Sequence, residues 1–117
     1  MELKIETKTE EGRAVMTIHG EIDMYNAPNL KEKALSVIED LKGGLLVVDL
    51  GDVEYIDSTG LGILIGFRRR MIEGGGTLRL VMRSPRMEKL FEITGLRKVF
   101  EIYGDAAEAE SKAAGGK

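Results

Sequence analysis

The stretch "LLVVDLGDVEYIDSTGLG", residues 45–62, places a short apolar run directly before an acid, two hydroxyls and closely spaced glycines. A continuous apolar run between glycines is typical of a strand buried on both faces of a mainly parallel sheet. The residues that follow, from Ser58 to Glu73, predict a helix that ends at the glycine triplet 74–76. The stretch therefore predicts a central strand that leads into a helix, with Ser58 exposed at the junction.

Before this unit, the sequence predicts a hairpin and a helix. The segments "LKIETK" and "RAVMTIHG" have strand character and are separated by the turn signal Glu11-Gly12. The segment "NAPNLKEKALSVIEDLKGG" has apolar residues at helical spacing, with Asn26 as the N-cap and Pro28 in the first turn. We therefore expect an antiparallel pair of strands followed by an amphipathic helix.

After the unit, the alternation of strand and helix continues. "TLRLVM" predicts a strand, "SPRMEKLFEITG" a helix capped by Ser84, and "KVFEIYG" a short last strand. Residues 105–114 predict a terminal helix capped by Asp105, and residues 113–117 are expected to fray. The whole chain, residues 1–117, is thus predicted to be one α/β domain with its core at about residues 3–112. It should contain an open, mostly parallel sheet of four to five strands covered by about four helices.

Composition excludes several classes of function. The chain has 117 residues, no cysteine, one histidine and a net charge of −3. Thiol chemistry and Cys- or His-rich metal sites are therefore excluded, and no basic surface for nucleic acid or an anionic membrane is expected. The N-terminal "MELKIETKTE" lacks the apolar core of a signal peptide, and no apolar run approaches the roughly 20 residues of a membrane span. We expect a cytoplasmic protein with a protein partner, no cofactor and no metal.

The glycines Gly60, Gly62 and Gly66 admit two interpretations. Their position after a strand and before a helix is the context of a phosphate-binding loop, but Phe67 stands where a Walker A motif has lysine. The other interpretation is steric, because Ser58, Gly62 and Gly66 recur every fourth residue and predict a small face that packs close to the sheet. A small nucleotide-binding module is kept as a minor alternative.

Ser58 also has more than one interpretation. A nucleophile elbow requires glycine two residues before the serine, where this chain has Ile56, and its histidine follows the serine, whereas His19 precedes it. We therefore expect no catalysis. A phosphate on Ser58 would be accommodated by the unpaired N–H groups and positive end of the helix. Alternatively, Ser58 or Asp57 is only an N-cap, and local sequence leaves both possibilities open.

Two segments, "GEIDMYNAPNL" and "LLVVDLGDVEYIDSTGLGILIGFRRRM", resemble the anti-sigma factor antagonist family, the small bacterial proteins that consist of a single STAS domain. The resemblance extends from residue 3 to about residue 112, and Asp-Ser-Thr-Gly-Leu is its most specific part. It implies that Ser58 is phosphorylated by a partner that is both an anti-sigma factor and a serine kinase. The unphosphorylated form would bind that partner and free a sigma factor, and a serine phosphatase would restore it.

The resemblance also implies a partner-binding surface around Ser58. Asp23 would help to contact the kinase, and Thr59 would be a second candidate acceptor. Glu21 either assists this contact or, as its position in a loop favours, is only a solvated charge. The expected partner-binding residues are Asp23, Asp57, Ser58, Thr59, Gly60 and Gly62. A STAS scaffold within a larger signalling assembly, which does not free a sigma factor directly, is the alternative within the same superfamily.

Overall fold

A computed structural model describes residues 3–111 of the chain, which fold into strands and helices in the predicted order. The strands are β1 (Lys4–Glu10), β2 (Arg13–His19), β3 (Leu45–Asp52), β4 (Thr77–Val81) and β5 (Glu101–Tyr103). The helices are α1 (Ala27–Leu41), α2 (Ser58–Glu73), α3 (Pro85–Ile93) and α4 (Ala106–Ser111), and a 3₁₀ turn spans Leu96–Lys98. Residues 112–114 of the predicted terminal helix and the tail 113–117 lie outside the described residues.

The strands form one sheet in the order β1-β2-β3-β4-β5, which puts β3 at its centre as predicted. β1 and β2 form the antiparallel hairpin, and the other three neighbouring pairs are parallel. The carboxyl ends of β2 and β3 therefore meet at one edge of the sheet, where functional loops of α/β proteins gather. The α/β class and the open, mostly parallel sheet are confirmed.

Apolar side chains cover both faces of β3. Leu46, Val48 and Leu50 are fully buried in the larger core, and Val47 is buried in a smaller cluster on the opposite side, together with Val81 and Ala109. The second face is covered by α4, which contacts β3, β4 and β5. Within the described part of the chain, no helix combines the length and apolar character needed to cross a bilayer.

Arg79 lies under α4 and is only 1% exposed. Its Nε donates to a Glu101 carboxylate oxygen at 3.0 Å, and its Nη1 donates to the carbonyl of Ala109 at 2.8 Å. The guanidinium also lies over the Tyr103 ring, 5.8 Å from its centroid. Because a buried cation is tolerated only when it is paired, these contacts explain how β4 carries an arginine there and how α4 is attached to the sheet.

Two of the predicted helix caps, Ser84 and Asp105, make their capping bonds, and a third, Asn26, holds the predicted position without one. Ser84 accepts a hydrogen bond from the Met87 amide, and Asp105 accepts one from the Glu108 amide. Asn26 occupies the N-cap position of α1, but its backbone is helical and its side chain makes no capping bond. The reason is that the amide side chain is used in the preceding turn.

Candidate functional site

The loops that follow β2 and β3 lie side by side at the carboxyl edge of the sheet. Ile22 and Ile56 form a parallel bridge outside the named strands. The Ile22 amide donates to the Tyr55 carbonyl at 3.0 Å, and the Asp57 amide donates to the Ile22 carbonyl at 3.1 Å. These bonds hold the loop that carries Asp23 against the start of α2.

Asp57 joins the two loops through its side chain. One carboxylate oxygen accepts the Gly60 amide at 3.0 Å and so caps α2, which confirms the capping role considered from sequence. The other oxygen accepts the Met24 amide at 2.9 Å. Both oxygens of one carboxylate are thus used to fix the start of α2 relative to the loop after β2.

Ser58 and Thr59 form the exposed first turn of α2. Within residues 3–111, neither hydroxyl is engaged in a hydrogen bond. The first intrahelical bond of α2 runs from the Leu61 amide to the Asp57 carbonyl, so the amides of Ser58 and Thr59 precede it. Because Asp57 is the cap, the Ser58 hydroxyl is free for another use.

Asp23 shapes the turn between β2 and α1, here called the 23–26 turn. Its carboxylate accepts the amides of Tyr25 at 2.9 Å and Asn26 at 3.1 Å. The Asn26 side chain accepts the Asp23 amide at 2.9 Å and donates to the Glu21 carbonyl at 2.7 Å. The structure thus places Asp23 beside Asp57 and gives it a structural role in addition to the partner contact expected from sequence.

The same edge displays large apolar side chains that the sequence analysis did not identify. Tyr25 is 86% exposed and Met24 is 58% exposed, and Tyr55 on the adjacent loop is also exposed. Their sequence signal is weak, because apolar residues in short loops have no periodicity. The one usable clue is that Met24 and Tyr25 stand between the turn formers Asp23 and Asn26.

The predicted close packing of α2 occurs at a different glycine from the one expected. A Cβ on Gly60 would lie 2.6 Å from Ile56 Cγ1 and 2.7 Å from Ile22 Cγ2, whereas Gly62 and Gly66 have no neighbouring atom within 4 Å of a Cβ. The steric interpretation of Gly62 and Gly66 is therefore wrong. The two residues instead border an open groove of about 420 Å³ between α1 and α2.

We expect alanine to have opposite effects at Gly60 and Gly62. Gly60→Ala should lower the free energy of unfolding by about 1–2 kcal/mol, because the methyl group must displace two buried isoleucines. Gly62→Ala should raise it by about 0.5–1 kcal/mol, because alanine is the better helix former and space is open. Urea unfolding measures both, and changes of the same sign in the two variants would contradict this packing.

His19 lies between two acids rather than beside Ser58. Its Nδ1 is 2.9 Å from an Asp52 carboxylate oxygen, and its Nε2 is 3.3 Å from a Glu6 carboxylate oxygen. The hydrogen bond with His19, helped by the charge of Lys4, lowers the pKa of the Glu6 carboxyl below its usual value. Both ring nitrogens thus have acidic partners, and among residues 3–111 no group of three or more His, Asp or Glu side chains is placed to hold a metal ion.

Three comparisons place this geometry among known proteins. The family model of the STAS domain matches residues 4–109. The chain is 40% identical over 102 residues to the anti-sigma-B factor antagonist of Bacillus subtilis, covering 87% of this chain and 92% of that protein. It is 41% identical over 103 residues to the protein of the same name from Listeria monocytogenes, covering 87% and 90%.

A solved structure is similar to this chain in both fold and sequence. The crystal structure of an anti-sigma factor antagonist from Mycobacterium paratuberculosis superposes with a TM-score of 0.84 and 31% identity. The superposition covers 94% of this chain and 92% of that one. From the family match, the relatives and the shared fold, we conclude that the chain belongs to the STAS domain family of anti-sigma factor antagonists.

Proposed function

We propose that this protein is an anti-sigma factor antagonist that works by exchange of partners in the cytoplasm. In its unphosphorylated form it binds an anti-sigma factor that is also a serine kinase, and a sigma factor is released. Support comes from the relatives in Bacillus subtilis and Listeria monocytogenes, which are named anti-sigma-B factor antagonists. The protein acts as a regulatory binding partner rather than as an enzyme.

The observation that carries the proposal is that the Ser58 hydroxyl is exposed and not used by the fold. Its side chain is exposed, its hydroxyl makes no hydrogen bond within residues 3–111, and the helix cap beside it is already provided by Asp57. A hydroxyl needed for folding would be buried or bonded, so an exposed and unbonded one can be modified without loss of structure. Thr59 shares these properties and is the second candidate acceptor.

In the proposed cycle this chain provides the acceptor hydroxyl, and its partners catalyse both steps. The kinase transfers the γ-phosphoryl group of ATP to Ser58 Oγ, which loses its proton, and ADP is released. The phosphate sits at the positive end of α2, where first-turn N–H groups favour an anion. A serine phosphatase hydrolyses the ester and regenerates the binding form. Asp23, Asp57 and Gly62 lie near the acceptor and belong to the surface that the partner approaches. Gly60, which was also expected to contact the partner, is buried against Ile22 and Ile56, and its part is to let α2 pack close to the loop after β2.

Phosphate transfer to a single residue tests the proposal. Ser58→Ala serves as bait to capture the anti-sigma factor from the source cell, because this variant should hold its kinase without being released by phosphorylation. The purified partner is then incubated with ATP and each form of the protein, and intact mass is measured. Wild type should gain one phosphoryl group and Ser58→Ala none.

A matched control is available on α1, where Ser36 is also exposed. Ser36→Ala should be phosphorylated as fast as wild type, and Thr59→Ala should still gain one phosphoryl group if Ser58 is the acceptor. Phosphorylation of Ser58→Ala at the wild-type rate would refute the assignment of Ser58. A captured assembly that contains no kinase and releases no sigma factor would instead favour the scaffold alternative.

A further inference from the structure

The 23–26 turn presents its two apolar residues to water on the side of the molecule that carries Ser58. Tyr25 and Met24 are 86% and 58% exposed, whereas the methionines Met16 and Met71 are buried in the larger hydrophobic core. Exposed clusters of large apolar residues are uncommon on monomers and often mark binding surfaces. Tyrosine in particular is enriched among the residues that carry most of the energy of protein association.

The turn is held rigidly, which matters for the energy of binding. The Asp23 carboxylate and the Asn26 amide satisfy each other's backbone groups, and Asp57 accepts the Met24 amide at 2.9 Å. The Ala27 amide also donates to the Asp23 carbonyl at 2.8 Å. Side chains displayed on a fixed backbone lose little conformational entropy when they bind, so more of their contact energy contributes to affinity.

The position of the turn is continuous with the surface around the phosphorylation site. A single residue, Asp57, both precedes Ser58 and binds the Met24 amide. Tyr55, in the adjacent loop two residues before Asp57, is a third exposed apolar side chain. A partner that reaches Ser58 with its active site therefore also covers Met24 and Tyr25.

The charges around the turn indicate which charges the partner surface has. Glu21 and Glu54 are exposed and flank the two loops, and neither forms an ion pair within residues 3–111. Electrostatic complementarity at the rim of an interface favours opposite charges on the partner. We therefore expect the matching surface of the partner to have an apolar cavity bordered by lysine or arginine side chains.

We propose that Met24 and Tyr25 are the apolar anchor of this protein, and that they insert into such a cavity on the anti-sigma factor beside its kinase active site. The inference rests on the proposed function, since it names the part of that surface that provides affinity. Asp23 and Asn26 hold the anchor in position through their bonds within the turn, in addition to the partner contact proposed for Asp23.

The test measures affinity for the purified anti-sigma factor by calorimetry, with ADP present so that no phosphate is transferred. Tyr25→Ala should bind at least fivefold more weakly than wild type, and Tyr25→Phe within twofold of it, because the ring rather than the hydroxyl fills the cavity. The matched control is Ile93→Ala, which removes a 72% exposed apolar side chain from the end of α3. It should bind as wild type does.

Each outcome has one meaning. Because the Tyr25 and Ile93 side chains are exposed, all three variants should have the same melting temperature as wild type. Thermal unfolding checks this before binding is measured. If wild type binds and Tyr25→Ala binds equally well, the anchor is refuted while the proposed function stands. A loss in Tyr25→Phe equal to that in Tyr25→Ala would also refute an apolar anchor. If wild type binds no anti-sigma factor, the proposed function fails and the anchor fails with it.

Discussion

Replacement of Gly44 by alanine is expected to lower the free energy of unfolding by at least about 3 kcal/mol. Gly44 has a φ of +83°, a conformation that costs other residues about 1–2 kcal/mol. A Cβ there would also overlap the carbonyl oxygen of Gly12, and it would lie 3.0 Å from the carbonyl carbon. Backbone atoms cannot rotate away as side chains do, so the hairpin would have to separate from β3.

The position of Gly44 makes this separation costly. The Leu45 amide donates to the Gly12 carbonyl at 3.0 Å, and the Thr77 amide donates to the Gly44 carbonyl at 2.8 Å. These bonds align the β1–β2 turn with the starts of β3 and β4. Movement at Gly44 would therefore disturb the start of three strands at once.

Gly75→Ala is the matched control for this prediction. Gly75 also has a φ of +83°, but a Cβ there would meet no atom within 4 Å. Its substitution should cost only the conformational term, about 1–2 kcal/mol. Urea unfolding of both variants separates the two contributions, and equal losses of stability would show that the overlap with Gly12 is relieved at no cost.

Much of this fold could be predicted from sequence because its signals are local. The run "LLVVDL" is flanked by glycines and became the central strand, and α2 begins and ends at the residues expected. The caps Ser84 and Asp105 were predictable for the same reason, since a cap and its helix lie within a few residues of each other.

The arrangement of the candidate site was less predictable because it depends on contacts between distant parts of the chain. Asp57 binds the Met24 amide across 33 positions, and Gly60 packs against Ile22 from another loop. Spacing along α2 favoured Gly62 and Gly66 as the packed glycines, but helical spacing does not say which face meets the sheet. Asp23 was grouped with Asp57 and Ser58 only through the family resemblance, and the role of these residues in binding a partner stays a prediction.

Phosphorylation of Ser58 is expected to weaken binding to the anti-sigma kinase at least about tenfold, or about 1.4 kcal/mol, while the fold stays intact. The phosphate brings a charge of about −1.5 to −2 near neutral pH, together with its hydration. The helix start tolerates that charge, since its N–H groups point toward it. The partner surface is not expected to tolerate it, because a surface that approaches Asp57, Ser58 and Thr59 closely would meet the dianion and its hydration.

Ser58→Ala separates the loss of the hydroxyl from the gain of the phosphate. Since Asp57 caps α2 and the Ser58 hydroxyl has no partner within residues 3–111, this variant should fold and bind as wild type does. Ser58→Asp is an imperfect mimic with one negative charge instead of nearly two, and an intermediate loss of affinity is expected. Gly62→Ala is a further control, because it changes the stability of α2 but not the charge at the helix start.

The lysine or arginine side chains inferred for the partner do not oppose this effect. They are expected to face Glu21 and Glu54, whereas the added charge is on Ser58. Glu21 and Glu54 are exposed, and exposed charges mainly set the rate of association and are screened by salt. Ser58 begins α2 directly after Asp57, and a dianion there would have to lose water when the partner approaches closely. Calorimetry at two salt concentrations distinguishes these contributions: the loss caused by phosphoserine should persist at high salt. Equal affinity of the phosphorylated and unphosphorylated proteins would rule out Ser58 as the switch.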